Sequence, residues 1–216
     1  ETHNVIRQTY LPREPKEYFN LTEILLDVHL QSGKGDSIAL VCPEGEWSYR
    51  ALAGRVSELM GILNSKGMRS EDRVLLSVRD SADFVAGLLA VIRGGGVAVM
   101  LNPDLEVERL KELIMYSRAQ VAIVEKGDPQ KCYQMAQDGL EVDLDLILVN
   151  GGERRDICAS YKEMKLIPCS ATHRDDPAIW LFSGGTTGRP KAIIQPHRSF
   201  LYTTERYGLG VMGYGK

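Results

Sequence analysis

Residues 74–101 read Val-Leu-Leu-Ser-Val-Arg-Asp-Ser-Ala-Asp-Phe-Val-Ala-Gly-Leu-Leu-Ala-Val-Ile-Arg-Gly-Gly-Gly-Val-Ala-Val-Met-Leu, and this stretch decides the fold. Val74 to Val78 is an apolar run of strand length. Asp80 or Ser81 can cap a helix on which Phe84, Leu88, Leu89 and Ile92 recur at helical spacing. Gly94 to Gly96 end that helix. Val97 to Leu101 is a second continuous apolar run, and Asn102-Pro103 stops it. A strand, a helix and a strand, with both strands apolar throughout, point to parallel strands buried on both faces and joined by a crossover helix.

The alternation continues in both directions. Upstream, Asn20-Leu-Thr-Glu23 reads as a capping box, with Asn20 accepting from early backbone N–H groups while Glu23 reaches back. Leu21, Ile24, Leu25 and Val28 would share one face of the helix it opens. Ser37 to Val41 has strand length, Pro43-Glu44-Gly45 turns into a short strand at Trp47 to Tyr49, and a helix from Arg50 buries Leu52, Val56, Leu59, Met60 and Leu63 before Gly67 ends it. Downstream, Glu106 to Ser117 is helical by the spacing of Leu110, Leu113 and Ile114. Val121 to Val124 is a strand, Pro129 to Asp138 a weaker helix and Leu144 to Val149 a strand. Gly151 to Arg174 is polar and poorly periodic, a connecting segment, and Pro177 to Phe182 is a further apolar strand. The expected class is α/β, a mainly parallel sheet covered by helices on both faces, with right-handed crossovers setting its winding.

Composition narrows the functions. The 216 residues carry 26 Lys and Arg against 29 Asp and Glu, a net charge of −3, which is not the basic footprint of a nucleic-acid binder or a polybasic membrane anchor. The longest apolar run, Phe84 to Ile92, is far too short to cross a bilayer, and no signal-peptide pattern is visible in the opening residues given. Cys42, Cys132, Cys158 and Cys169 form no Cys-x-x-Cys pair, so they read as reduced, mostly buried thiols of a cytoplasmic protein. Neither His3 nor His173 has metal-ligand spacing around it, and His29 reads as a core-edge histidine. No metal site and no catalytic side chain are assigned.

The chemistry lies in residues 181–191, Leu-Phe-Ser-Gly-Gly-Thr-Thr-Gly-Arg-Pro-Lys, between an apolar strand and the β-prone Ala192 to Gln195. Glycines let backbone N–H groups approach a ligand closely, and successive inward N–H groups make a concavity for anions. Ser183, Thr186 and Thr187 add hydroxyl donors and Lys191 a full charge. The pattern suits a polyphosphate. It is not the common NTPase P-loop, in which Lys directly follows the last Gly and opens a helix. Here Arg189-Pro190 separates Gly188 from Lys191.

Ser183 to Lys191 resembles the signature phosphate loop of the acyl-adenylate-forming enzymes, a superfamily of acyl- and aryl-CoA synthetases, peptide-synthetase adenylation domains and firefly luciferase. Trp47-Ser-Tyr-Arg-Ala-Leu52 is similar to the family's Thr/Ser-Tyr-x-x-Leu element, and Ile92 to Pro103 to its Lys-x-Gly-x-x-x-x-Pro-x-Asn/Asp-Pro segment. The likeness is collinear over roughly residues 19–210. Asp176 to Phe182, and His197 followed by Tyr202, Glu205 and Tyr207, resemble the benzoate-CoA type more than the peptide synthetases. Three positions depart from the pattern: Gly184 where many members have Ser or Thr, Ala192 where Gly is usual, and Gln195-Pro196 where His-Thr is frequent.

The resemblance implies an AMP-forming ligase that activates a small carboxylic acid, aryl or acyl, with ATP and Mg²⁺ and passes it to coenzyme A. A medium- or long-chain fatty acyl-CoA synthetase and a non-catalytic nucleotide-binding homologue are the alternatives. It assigns Ser183, Gly184, Gly185, Thr186, Thr187, Gly188 and Lys191 to the β- and γ-phosphates, with Lys191 either neutralising them or holding the loop's base through a carboxylate. His197 is expected to help cap the next helix. Residues 1–18 read as an N-terminal extension and 19–216 as an incomplete N-terminal adenylation domain without its C-terminal domain. Both ends read as cuts through a longer chain, and these 216 residues alone are expected to be inactive.

Overall fold

The computed structural model describes residues 15–138, 140, 142–150, 166–183 and 191–213. The first helix, α1, runs as a π-helical turn Glu23–Asp27 into an α-helical turn Val28–Gln31. Strands β1 (Ile38–Cys42) and β2 (Gly45–Ser48) pair as a separate antiparallel hairpin. The Ser48 hydroxyl caps α2 (Tyr49–Ser65) by accepting from the Ala51 amide at 3.2 Å. Then come β3 (Arg73–Ser77), α3 (Ala82–Arg93), β4 (Val97–Met100), α4 (Val107–Ser117), β5 (Val121–Glu125), α5 (Asp128–Asp138), β6 (Asp145–Val149), β7 (Pro177–Ser183) and β8 (Lys191–Pro196). An α-helix His197–Thr203, which continues as a π-helical segment Thr204–Val211, is α6.

The six-stranded sheet has the order β6-β5-β3-β4-β7-β8. The first five strands are parallel and β8 alone is antiparallel. Side chains alternate between faces along each strand, so the central strands feed two cores. Val74, Leu76, Ala98 and Ile123 meet Leu59 and Leu63 of α2 and Ala86 and Ala90 of α3. Leu75, Val99, Ala122 and Val124 meet Leu110, Leu113 and Ile114 of α4 and Tyr133 of α5. Each fully buried aliphatic side chain is worth about 1.5–3 kcal/mol. This is the doubly covered α/β sheet that the apolar runs imply. Ser81 is the cap chosen for α3, its hydroxyl accepting from the Phe84 amide at 3.2 Å. Among the described residues no helix is long and apolar enough to cross a membrane.

The first helix departs from the expected pattern. Leu26 is fully buried while Leu25 is 45% exposed, because the widened π turn (i→i+5) shifts the phase of the stripe. Asn20 accepts from the Thr22 amide at 3.1 Å and its hydroxyl at 2.7 Å, and its own amide donates to the Ile92 carbonyl at 2.9 Å. Glu23 contributes only its backbone N–H, to the Asn20 carbonyl. Pro15 to Phe19 lie along Thr172 to Arg174: Phe19 N donates to Thr172 O at 2.8 Å, Arg174 N to Glu17 O at 2.8 Å, and an Arg174 guanidinium N–H to Pro15 O at 3.0 Å. The buried Arg93 clamps α1 from the end of α3 by a bidentate pair with Asp27, at 2.7 and 3.0 Å.

The three described cysteines, Cys42, Cys132 and Cys169, are unpaired and half-buried rather than deeply buried. Burial pushes the Cys169 thiol up to about 11, which makes it a packing group and not a nucleophile.

Candidate functional site

The loop identified from sequence hangs from a hairpin. Strands β7 and β8 pair with Trp180 opposite Ile194, Leu181 opposite Ile193, Phe182 opposite Ala192 and Ser183 opposite Lys191. Directly opposed residues of an antiparallel pair project from the same face, so Ser183 and Lys191 stand side by side at the two roots of the tip. Gly184, Gly185, Thr186, Thr187 and Gly188 lie outside the described residues.

The parallel strands fix where that tip faces. Leu181 is level with Met100 of β4, and Met100 with Leu76 of β3. Ser183 therefore leaves the sheet at its carboxyl edge, beside the segments that follow β3 and β4. At that edge the chain changes direction: β3 to β4 steps one way, and β4 to β5 crosses back over β3. The two crossover helices lie on opposite faces, which opens a crevice between the ends of β3 and β4. In open α/β sheets such a switch point is where ligands bind. A crevice of about 610 Å³ sits there, walled by Val78, Asp80, Phe84, Met100 and Pro103.

Charge on this edge is unevenly committed. The Arg79 guanidinium spans the ends of three strands. It donates to Glu125 at 3.1 Å and pairs with Asp104, while its backbone N–H donates to Glu125 at 3.0 Å. Asn102 closes the Asp104 turn by accepting from its amide at 3.0 Å. Arg79 is thus neutralised by two carboxylates. Lys191 has no ion-pair partner among the described residues. An exposed ammonium beside a hydroxyl is suited to meeting an anion. The described residues gather no group of three or more His, Cys, Asp or Glu side chains that could hold a metal ion.

His197 follows β8 directly, and its role differs from the expected one. It is fully buried, and α6 receives no side-chain cap at its start. Its Nδ1 accepts instead from the Leu21 amide at 3.0 Å, satisfying an orphan N–H at the start of α1. Burial pulls the imidazole down to about 4, with Asp176 acting weakly the other way, so it is neutral at ordinary pH. Nothing in the local sequence signals this bond. The crevice was equally hidden, since a switch point is a property of strand order.

The carboxyl-edge crevice of this doubly wound sheet places the chain among the open α/β proteins that bind ligands at a switch point, and the comparisons identify the family. The family model described as AMP-binding enzyme matches residues 28–213, and the chain belongs to that family. It is 29% identical over 200 residues to the benzoate–CoA ligase of Thauera aromatica, covering 91% of this chain and 38% of that protein. It is also 29% identical over 198 residues to the 3-hydroxybenzoate–CoA/4-hydroxybenzoate–CoA ligase of the same organism, covering 87% and 37%. The crystal structure of the anthranilate CoA ligase AuaEII with anthranoyl-AMP superposes with a TM-score of 0.79 at 24% identity, over 91% of this chain and 37% of that one. A benzoate CoA ligase from Burkholderia xenovorans LB400 gives 0.75 at 22%, over 90% and 38%. The fold is that of the N-terminal part of these ligases, and the chain spans just over a third of the length of the curated relatives it matches.

Proposed function

We propose that this chain supplies the ATP-phosphate-binding part of an acid–CoA ligase acting on a small aromatic carboxylic acid. The observation that carries the reading is the pairing of Ser183 with Lys191 at the carboxyl edge of the sheet. Membership of the AMP-binding family and the likeness to benzoate-type ligases support it.

In the proposed reaction the substrate carboxylate oxygen attacks the ATP α-phosphorus. The bond from that phosphorus to its β-bridging oxygen breaks, and pyrophosphate leaves with the electron pair. The thiol sulfur of coenzyme A then attacks the acyl carbonyl carbon, the acyl–oxygen bond breaks, and AMP departs. The nucleophile of the first step is the substrate itself, so the protein contributes position and charge rather than proton transfer. Lys191 and the Ser183 hydroxyl would hold the β- and γ-phosphates, together with the N–H groups of Gly184 to Gly188 and the hydroxyls of Thr186 and Thr187. Each charge-assisted hydrogen bond of this kind is worth about 1.5–3 kcal/mol. Magnesium would come bound to the phosphate oxygens of ATP, and no protein ligand is assigned to it.

The test is isothermal titration of the full-length protein with Mg·ATP, with Lys191→Ala as control, followed by AMP release with benzoate, hydroxybenzoates and fatty acids, with and without coenzyme A. Binding that drops at least tenfold in Lys191→Ala supports the site, and AMP release with aromatic acids supports the substrate class. Equal affinity of both proteins for ATP refutes the site. Turnover with fatty acids alone refutes the aromatic assignment.

A further inference from the structure

Strand β8 has a structural problem that its sequence does not solve. Among the described residues it is the last strand of the sheet, hydrogen-bonded on one side only, and it leaves Ile193 and Ile194 about half exposed, at 46% and 52%. Its pairing with β7 is irregular between Pro177 and Ile179, at the foot of the hairpin. A slip of one residue would turn every β8 side chain to the opposite face, and Lys191 would no longer stand beside Ser183. Edge strands without a strongly specified buried face are prone to such slippage.

Three bonds hold the foot, besides an ion pair between Arg198 and Asp175. His197 N donates to Asp176 O at 3.2 Å, Arg198 N donates to Arg174 O at 3.0 Å, and Leu21 N donates to His197 Nδ1 at 3.0 Å. The first two tie the hairpin only to the segment leading into β7. The third reaches a different part of the molecule. Leu21 is 2% exposed, and its neighbour Asn20 is bonded to the Ile92 carbonyl at the end of α3. Close beside Ile92 and Leu21, the helix pair is clamped again by Arg93, Asp27 and Thr22.

We propose that His197 is a positioning residue for the phosphate hairpin: by accepting from the Leu21 amide it fastens the foot of β8 to the α1–α3 body and so holds the register that sets Lys191 opposite Ser183. The consequence for nucleotide affinity rests on the assignment of the hairpin tip to ATP phosphates. The consequence for the strand does not. A neutral ring is required, because Nδ1 accepts only without its proton, and burial keeps the ring in that state across neutral pH.

The experiment compares the wild-type protein with His197→Phe, which keeps ring volume and loses the acceptor, and His197→Asn, whose Oδ1 is as far from the backbone as Nδ1 and restores the acceptor. His197→Leu, which has no acceptor, replaces the Phe variant if that one does not fold. Amide hydrogen exchange is read in the β7–β8 ladder and in the β3–β4 ladder of the same sample, and Mg·ATP affinity is measured at a temperature where each variant is folded by circular dichroism. The expected result is faster exchange of the Ala192 to Ile194 amides relative to β3–β4 in the Phe variant. ATP affinity should fall about tenfold or more, on the scale of one lost charge-assisted hydrogen bond, and the Asn variant should recover both. Unchanged relative protection of β8 overturns the proposal. If wild-type protein binds no ATP but the exchange result holds, the latch stands and the phosphate assignment falls. If ATP affinity is unchanged in a variant whose β8 has loosened, the claim that the latch positions Lys191 is overturned.

Discussion

Asp83→Leu is the substitution expected to damage the fold most for its size. Asp83 lies in the first turn of α3, and its carboxylate faces Arg55 of α2; their side chains are 12% and 10% exposed. One oxygen accepts from Arg55 Nε at 2.8 Å and the other from the Asn150 amide at 3.1 Å, so a single carboxylate joins α2, α3 and the end of β6. Removing it strands a guanidinium that burial already penalises. Breaking one partner of a buried pair costs about 3–5 kcal/mol, and the lost acceptor of the Asn150 amide adds about 1 kcal/mol or more. Arg55 keeps Glu58 at 2.6 Å, whose side chain is 35% exposed, so the total should fall near the lower end, about 3–4 kcal/mol. The double replacement Arg55→Met with Asp83→Leu removes both charges and should recover most of that loss, because apolar isosteres of buried pairs are often neutral. Urea unfolding of the wild type, both single variants and the double variant reads this directly. A cost below about 1 kcal/mol for Asp83→Leu, or a double variant no better than the single one, would refute the idea that this pair fastens α2 to α3.

Further outcomes are expected elsewhere. A Cβ on Gly87 would sit 3.1 Å from Leu76 Cδ1 and 3.4 Å from Ile123 Cδ1, so Gly87→Val should cost about 1–3 kcal/mol by overpacking, read as a lowered thermal midpoint. Arg118 ends α4 with φ of 55°, a left-handed conformation that glycine adopts without penalty; Arg118→Gly should raise stability by about 0.5–1 kcal/mol in the same assay. The imidazole of His197 is held near 4 in the fold against an ordinary 6.5. The unfolded chain therefore binds more protons between those values, and stability falls as pH drops through that window, by about 3 kcal/mol in all and about 2 kcal/mol between pH 7 and pH 5. Urea midpoints at the two pH values should shift more in the wild type than in His197→Gln.

How far the sequence could be read depends on the range of the interactions involved. The unit from Val74 to Leu101 was legible because two buried strands and a capped helix each carry their own pattern. The burial of Leu52, Val56, Leu59, Met60 and Leu63 on α2 was legible for the same reason. The exchange of Leu25 for Leu26 was not, since a π turn leaves no residue signature of its own. The role of His197 was hidden because its partner, Leu21, lies 176 positions away. The loop proposed to bind phosphate was legible as a string of residues, but the opposition of Ser183 and Lys191 is a register, and register is set by the whole sheet. The crevice beside it arises from strand order.

The most direct measurement is photo-labelling with an ATP analogue that carries its reactive group on the γ-phosphate, with peptide mapping of the labelled chain. Label concentrated between Ser183 and Lys191, displaced by unmodified Mg·ATP and sharply reduced in Lys191→Ala, is the expected result. Displaceable label that maps to another part of the chain, with that segment unmarked, would contradict the assignment of the hairpin tip to the triphosphate.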